Sequence, residues 1–160
     1  MIRKAKESDI EMILKLLSEV LEIHAKIRPD IFISGKTKYT KDEILGIMED
    51  KNKPIYVYTN LDDKVLAYAF CIIKDVPFSN TMKDIKTLFV DDFCVDEDAR
   101  GSGIGKELFS YLIKEAKCLG CYILTLNVWE GNDAKKFYEK MGMKVKETEM
   151  EIILWFALLE

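Results

Sequence analysis

Arg100-Gly101-Ser102-Gly103-Ile104-Gly105 constrains this chain more than any other stretch. It lies between an apolar run that reads as a strand, Thr87 to Val95, and a helical stripe of Ile104, Leu108, Leu112, Ala116 and Leu119. Glycine at alternate positions removes the Cβ atoms that keep a ligand off the backbone. The amides of such a turn, with a helix N-terminus behind it, form an anion site. The spacing is not that of a nucleotide-hydrolase loop. Gly105-Lys106 is followed by Glu107 where a magnesium-binding hydroxyl is needed, and Arg100 stands where the first glycine belongs. A dinucleotide loop needs G-x-G-x-x-G close to the start of the chain, which is also absent.

The rest of the chain supplies the frame. Ile2 to Ala5 reads as a strand, and Ser8 or Asp9 caps a helix with apolar residues at Ile10, Ile13, Leu14, Leu17, Val20 and Leu21, ended by Pro29. Thr40 and Glu43 form a capping box for a second helix to Glu49. Pro54 to Thr59 and Val65 to Lys74 form a hairpin about Asn60–Asp63. Pro77 to Lys83 is a polar loop. Tyr122 to Val128 is a strand, Asp133 to Met141 a helix closed by Gly142, and Met143 to about Leu154 a final strand. The order β-α-α-β-β-β-α-β-α-β over residues 1–160 predicts one α/β domain with helices on both faces of a mixed sheet.

A net charge of −4 argues against nucleic acid as the main partner. No apolar run approaches the ~20 residues of a membrane span, and Met1 to Lys6 lacks a signal-peptide core. Four cysteines without other marks of a disulfide scaffold point to reduced thiols and a cytoplasmic setting. Cys118 and Cys121 have CxxC spacing, but a structural zinc wants two more ligands and the only histidine is His24, far upstream. No metal is expected, and all four cysteines are read as packed and inert.

The segments around the glycine loop carry a family resemblance. Arg100 to Gly105 fits the [RQ]-x-x-G-x-[GA] signature of the GNAT superfamily of acetyl-CoA-dependent N-acetyltransferases. Asp91-Asp92-Phe93-Cys94-Val95-Asp96 is similar to that family's fourth strand. Asn132 to Met143 resembles its N-x-x-A-x-x-[FL]-Y-x-x-x-G-F segment, with Met143 in place of Phe. The specific likeness covers residues 88 to 143. It implies a mixed, mostly antiparallel central sheet whose fourth and fifth strands splay apart around Val95 and Asn127. It implies acetyl-CoA as co-substrate and an amine as acceptor. The pyrophosphate would rest on amides from Gly101 through Ser102, Gly103, Ile104 and Gly105 to Lys106, with Arg100 adding charge. The pantetheine would bond to Phe93, Cys94 and Val95 like an added strand. Asn132 either caps its helix or bonds the cofactor.

Acetyl transfer to an amine needs an oxyanion donor, an acid for the leaving thiolate and a base for the ammonium. The amide of Cys94 or Val95 is the candidate donor, and Tyr138 of the Asn132 segment is the acid. Strand alternation puts Phe89, Asp91, Phe93 and Val95 on one face, making Asp91 the expected base and Asp92 a second. Spermidine/spermine acetyltransferases carry a similar acid-acid-Phe stretch. The acid pair therefore favours a small cationic acceptor, a polyamine or a lysine-like amino acid. A peptide N-terminus or protein lysine is the alternative acceptor, and a non-catalytic acyl-CoA-binding module the alternative from another class. His24 and the Arg28–Phe32 loop belong to the region that covers the acceptor. The apolar run Ile152 to Leu159 would begin as a core strand, and its second half could cover a partner in a homodimer.

Overall fold

A computed structural model describes residues 1–75 and 79–155. Five strands form one sheet in the order β1 (Ile2–Lys4), β2 (Ile55–Thr59), β3 (Val65–Asp75), β4 (Lys86–Val95) and β5 (Ile123–Leu126). The first three pairings are antiparallel, and β4–β5 is parallel. Helices α1 (Ile10–Ile27) and α2 (Lys41–Glu49) cover one face, α3 (Ile104–Cys118) covers the other, and α4 (Ala134–Lys140) follows β5.

Each face has its own core. Ile10, Ile13, Leu16 and Leu17 of α1 and Ile44 of α2 pack on Ile55, Val57, Tyr68, Phe70 and Cys94. Leu108, Phe109, Leu112 and Ala116 of α3 pack on Tyr56, Ala67, Ala69, Cys71, Leu88 and Val90. Alternation along β2 and β3 divides the two sets, as a sheet buried on both sides requires. The α2 cap forms as expected. The Glu43 amide donates to Thr40 Oγ1 at 3.2 Å, and the Thr40 amide donates to Glu43 Oε2 at 3.0 Å. Asp9 does not cap α1 with its side chain. Its carboxylate accepts instead from the Lys6 amide and from both terminal nitrogens of Arg3.

Two departures from the sequence reading shape the site. Phe70 pairs with Asp92 but Cys71 pairs with Val90, so Asp91 is an extra residue in β4. Such a bulge shifts the alternation by one. Leu88, Val90, Phe93 and Val95 lie against the α3 core, whereas Asp92 and Cys94 face α1. The expected common face of Phe89, Asp91, Phe93 and Val95 therefore does not exist. The final strand is also absent among the described residues. From Met143 to Trp155 the chain has no strand, and Lys144 to Trp155 is exposed throughout. The second half of the C-terminal apolar run, from Phe156, lies outside the described residues, as does part of the Pro77–Lys83 loop. The cysteines also divide. Cys71 and Cys94 are buried, but Cys118 is exposed, so the packed reading fails for it.

Candidate active site

The parallel pairing of β4 with β5 ends at Val90 and Leu126. Past that point β4 continues along β3 to Val95 while the chain after β5 turns away. The gap opens into a cleft of about 1020 Å³, lined by both strand ends, the α1 flank, the glycine loop and α4. That volume suits a long ligand.

One side of the gap is a bare strand edge. The Asp96 amide donates to the Leu66 carbonyl on β3 at 2.7 Å. Antiparallel pairing repeats every second residue, so the amide of Cys94 points to Tyr68 on β3. Phe93 and Val95 present their N–H and C=O groups to the gap instead. Of the expected pair only the Val95 amide is thus turned toward the gap, and the Cys94 amide is already used. The Cys94 thiol is buried near the Leu16 carbonyl at 3.8 Å. Burial pushes it up to about 12, which favours the neutral thiol over the thiolate. Arg100 Nε donates to the Val95 carbonyl at 3.3 Å and closes part of the edge.

The glycine loop lies at one end of the cleft. Gly101 and Gly103 have φ of +80° and +86°, a region that side chains with a Cβ rarely adopt. Gly103 starts α3 with no side-chain cap. The first amide with an intrahelical acceptor is Glu107, bonded to Gly103 at 3.0 Å. The amides from Gly101 to Lys106 before it carry no backbone partner, which is the unfilled set an anion takes up. Gly105 serves a different end. A Cβ there would meet Val95 Cγ2 at 3.3 Å and the Phe137 ring at 3.6 Å, so the absent side chain lets α3 start against β4. Arg100, Gly101, Gly103, Ile104, Gly105 and Lys106 line the cleft. Ser102 does not face it in the same way, since its hydroxyl donates to the Ala99 carbonyl and tightens the turn. Asn132 Oδ1 accepts from the Ala134 amide at 3.0 Å, so that oxygen caps α4 while the residue still borders the cleft.

The candidate acid and bases border one end of the cleft. The Tyr138 ring packs with Phe93, Phe109 and Phe137 and borders the cleft. Burial, with the nearby Asp92 charge, raises its phenol to about 12 and keeps it protonated. Asp92 is 9 % exposed and accepts from the Tyr68 hydroxyl at 2.8 Å. Burial raises its pKa, opposed by Lys38 and the Tyr68 hydrogen bond. Asp91 also borders the cleft, but its carboxylate is engaged. It accepts from the Tyr39 hydroxyl and lies 3.2 Å from Lys38 Nζ.

Two contributors escaped the sequence reading, Lys38 and Trp129, whereas Phe32 belongs to the loop expected to cover the acceptor. Lys38 comes from the loop before α2, and its ammonium is also 3.8 Å from Asp92. Trp129 and Phe32 meet edge to face at 5.2 Å, and Phe32 lies 5.1 Å from the His24 ring. Arg28 sits over Trp129 at 5.9 Å. These aromatic residues line the same cleft as the acids, and burial lowers the pKa of His24, so it favours the neutral ring. A loop without periodicity gives no sequence signal for such partners.

Residues 17–143 match the acetyltransferase (GNAT) family model, and the chain belongs to that family. It is similar over 97% of its length to a crystal structure of a mutant BH1408 protein from Bacillus halodurans, with 32% identity, a TM-score of 0.93 and 99% of that chain covered. It is 38% identical over 61 residues to glucosamine 6-phosphate N-acetyltransferase from Arabidopsis thaliana. That match takes in 38% of this chain and 40% of the plant protein, so the likeness spans about two fifths of that curated relative. The crystal structure of the plant enzyme superposes over 96% of this chain and 97% of its own, with a TM-score of 0.65 and 26% identity.

Proposed function

We propose that the protein moves the acetyl group of acetyl-CoA directly onto the primary amine of a small molecule. The observation that carries this is a continuity. One cleft joins the unbonded amides of the glycine loop, the bare edge of Val95, and the Asp92–Tyr138 end. Those amides fit a pyrophosphate, and the strand edge fits the two amide groups of a pantetheine arm.

In this reading Asp92 takes the proton from the arriving ammonium. Its raised pKa suits a base that must hold a proton briefly, and the bulge turns it toward the α1 side of the gap. Asp91, the residue expected in that role from the sequence, is held by Lys38 and Tyr39 and acts as the second acid. The amine then attacks the thioester carbonyl. The Val95 amide stabilises the oxyanion, a contribution of roughly 3 kcal/mol for one such donor. Tyr138 gives its proton to the departing thiolate and regains one from the nitrogen as the amide forms. Holding both substrates in one cleft supplies much of the remaining acceleration.

The lining narrows the acceptor. Beyond the acids it includes the apolar or flat side chains of Val20, Leu21, His24, Ile27, Phe32 and Trp129, with Lys26 and Lys38 among them. One carboxylate already holds a cation, so the site favours a single ammonium on an apolar or flat body, and polyamines and lysine-like amino acids become the wider case. An amino sugar phosphate is the second reading. The likeness to glucosamine 6-phosphate N-acetyltransferases favours it, and Lys26 and Lys38 on the cleft wall are cations for its phosphate. Thiol release from acetyl-CoA, followed over monoamines, polyamines, lysine, amino sugar phosphates and peptides, tests the proposal. Release stimulated by a small amine supports it. Release only with peptides would move the acceptor class, and none with any amine would leave an acyl-CoA-binding module.

A further inference from the structure

Arg100 is held across the strand edge that borders the cleft. Its Nε donates to the Val95 carbonyl at 3.3 Å. Its charge also reaches the buried Cys94 thiol, where it opposes the upward pull of burial. The Asp96 amide bonds to Leu66 on β3 at 2.7 Å. By the two-residue period of the ladder, the Val95 carbonyl then points away from β3 and into the gap. The guanidinium thus occupies an acceptor that an added strand would need.

Arg100 has nearer charges to choose from. Asp96, Glu97 and Asp98 lie within four residues of it, yet its guanidinium bonds to Val95. Asp96 turns its carboxylate to the Asp98 amide at 3.0 Å and lies 4.0 Å from Lys15 Nζ. One long bond to a neutral carbonyl uses little of a guanidinium, which binds best to anions that take parallel bonds. A pyrophosphate is such an anion. Arg100 precedes Gly101, and both border the cleft with the other amides of the loop. One side chain therefore holds the strand edge and stands at the start of the anion loop.

We propose that Arg100 couples the two ends of the cofactor site. A pyrophosphate on the glycine loop draws the guanidinium off the Val95 carbonyl, and the freed carbonyl accepts from the pantetheine arm. Arg100 is a positioning residue in this exchange, which rests on the acetyl-CoA reading of the cleft. A ligand without the pyrophosphate must displace Arg100 unaided, so its affinity is reduced by the fraction of molecules whose edge is open. By reciprocity, each half of the ligand strengthens the other.

CoA and S-acetylpantetheine, which carries the arm without the pyrophosphate, separate the two ends in the full-length protein. Calorimetry follows CoA, and ligand-observed NMR follows S-acetylpantetheine. Inorganic pyrophosphate without magnesium should tighten S-acetylpantetheine about threefold in the wild type. That comparison needs no variant. Arg100→Met keeps the aliphatic stem. It should weaken CoA about tenfold, tighten S-acetylpantetheine about threefold and abolish the pyrophosphate effect. Opposite signs for the two ligands support the exchange. Pyrophosphate that competes with S-acetylpantetheine or leaves it unmoved would overturn it, as would an Arg100→Met protein that binds both ligands more weakly. CoA that fails to bind the wild type would overturn the acetyl-CoA reading itself, and the exchange with it.

Discussion

Lys38 and Asp91 are joined twice. The Lys38 ammonium lies 3.2 Å from the Asp91 carboxylate and 3.1 Å from its backbone carbonyl. A loop lysine thus sits where two acids would otherwise meet an incoming amine, and it borders both the main cleft and a second cavity of about 420 Å³ beside α2. Lys38→Met removes the cation that holds the Asp92 pKa down, so that pKa should rise. A base must be ionised to act, so the acidic limb of the kcat/KM profile should move to higher pH. KM for a cationic acceptor should fall several-fold, because Asp91 is freed. A pH series of initial rates in both proteins checks the sign.

Tyr138→Phe removes the proposed acid and little packing, since the ring stays against Phe93 and Phe109. Turnover should drop by about 10²-fold, the low end for a positioned acid, with acetyl-CoA affinity nearly unchanged. With the phenol raised to about 12, the wild-type rate should show no loss from tyrosine ionisation up to pH 10. Stopped rates across that range, paired with calorimetry, separate chemistry from binding.

The glycine loop gives two different outcomes. Gly103→Ala forces a Cβ onto a residue at φ +86° and should cost about 1–2 kcal/mol in the bound geometry, weakening CoA about tenfold by calorimetry. Gly105→Val instead drives a branched side chain into Val95 and Phe137. It should lower thermal stability as well as affinity, so Tm distinguishes the two variants.

These positions also show what a sequence can reveal. Glycines needed for positive φ, the Thr40–Glu43 box and the α3 stripe are local, and each was legible from residue type and spacing. The Asp91 bulge was not. One extra residue in β4 leaves composition unchanged but shifts the alternation, so that Asp92 faces α1 while Asp91 is held by Lys38 and Tyr39 of the loop before α2. Lys38 and Trp129 reach the cleft through tertiary packing of segments with no period, so nothing local announces them. The tail reads as a strand by propensity, yet a strand needs a neighbour, and among the described residues Met143 to Trp155 forms none.

Acid should unfold the protein partly through Asp9. It is 4 % exposed and takes two hydrogen bonds from Arg3, at 2.7 and 3.0 Å. Burial alone would raise its pKa, but the Arg3 and Lys6 contacts outweigh it and the net shift is downward. A lowered folded pKa means the stabilisation is present above the usual carboxylate range and fades as pH falls through the folded value. Asp9→Asn should cost about 2–3 kcal/mol at neutral pH and flatten the loss of stability below pH 4. Urea melts at a series of pH values measure both effects.

The central claim is direct transfer between two substrates held in one cleft, with no acetylated enzyme between them. Initial-rate kinetics with acetyl-CoA and the best amine of the panel, both varied, test it most directly. The account predicts intersecting double-reciprocal lines and an unchanged protein mass after incubation with acetyl-CoA alone. Parallel lines, with an acetyl group on the protein that a later amine removes, would contradict it.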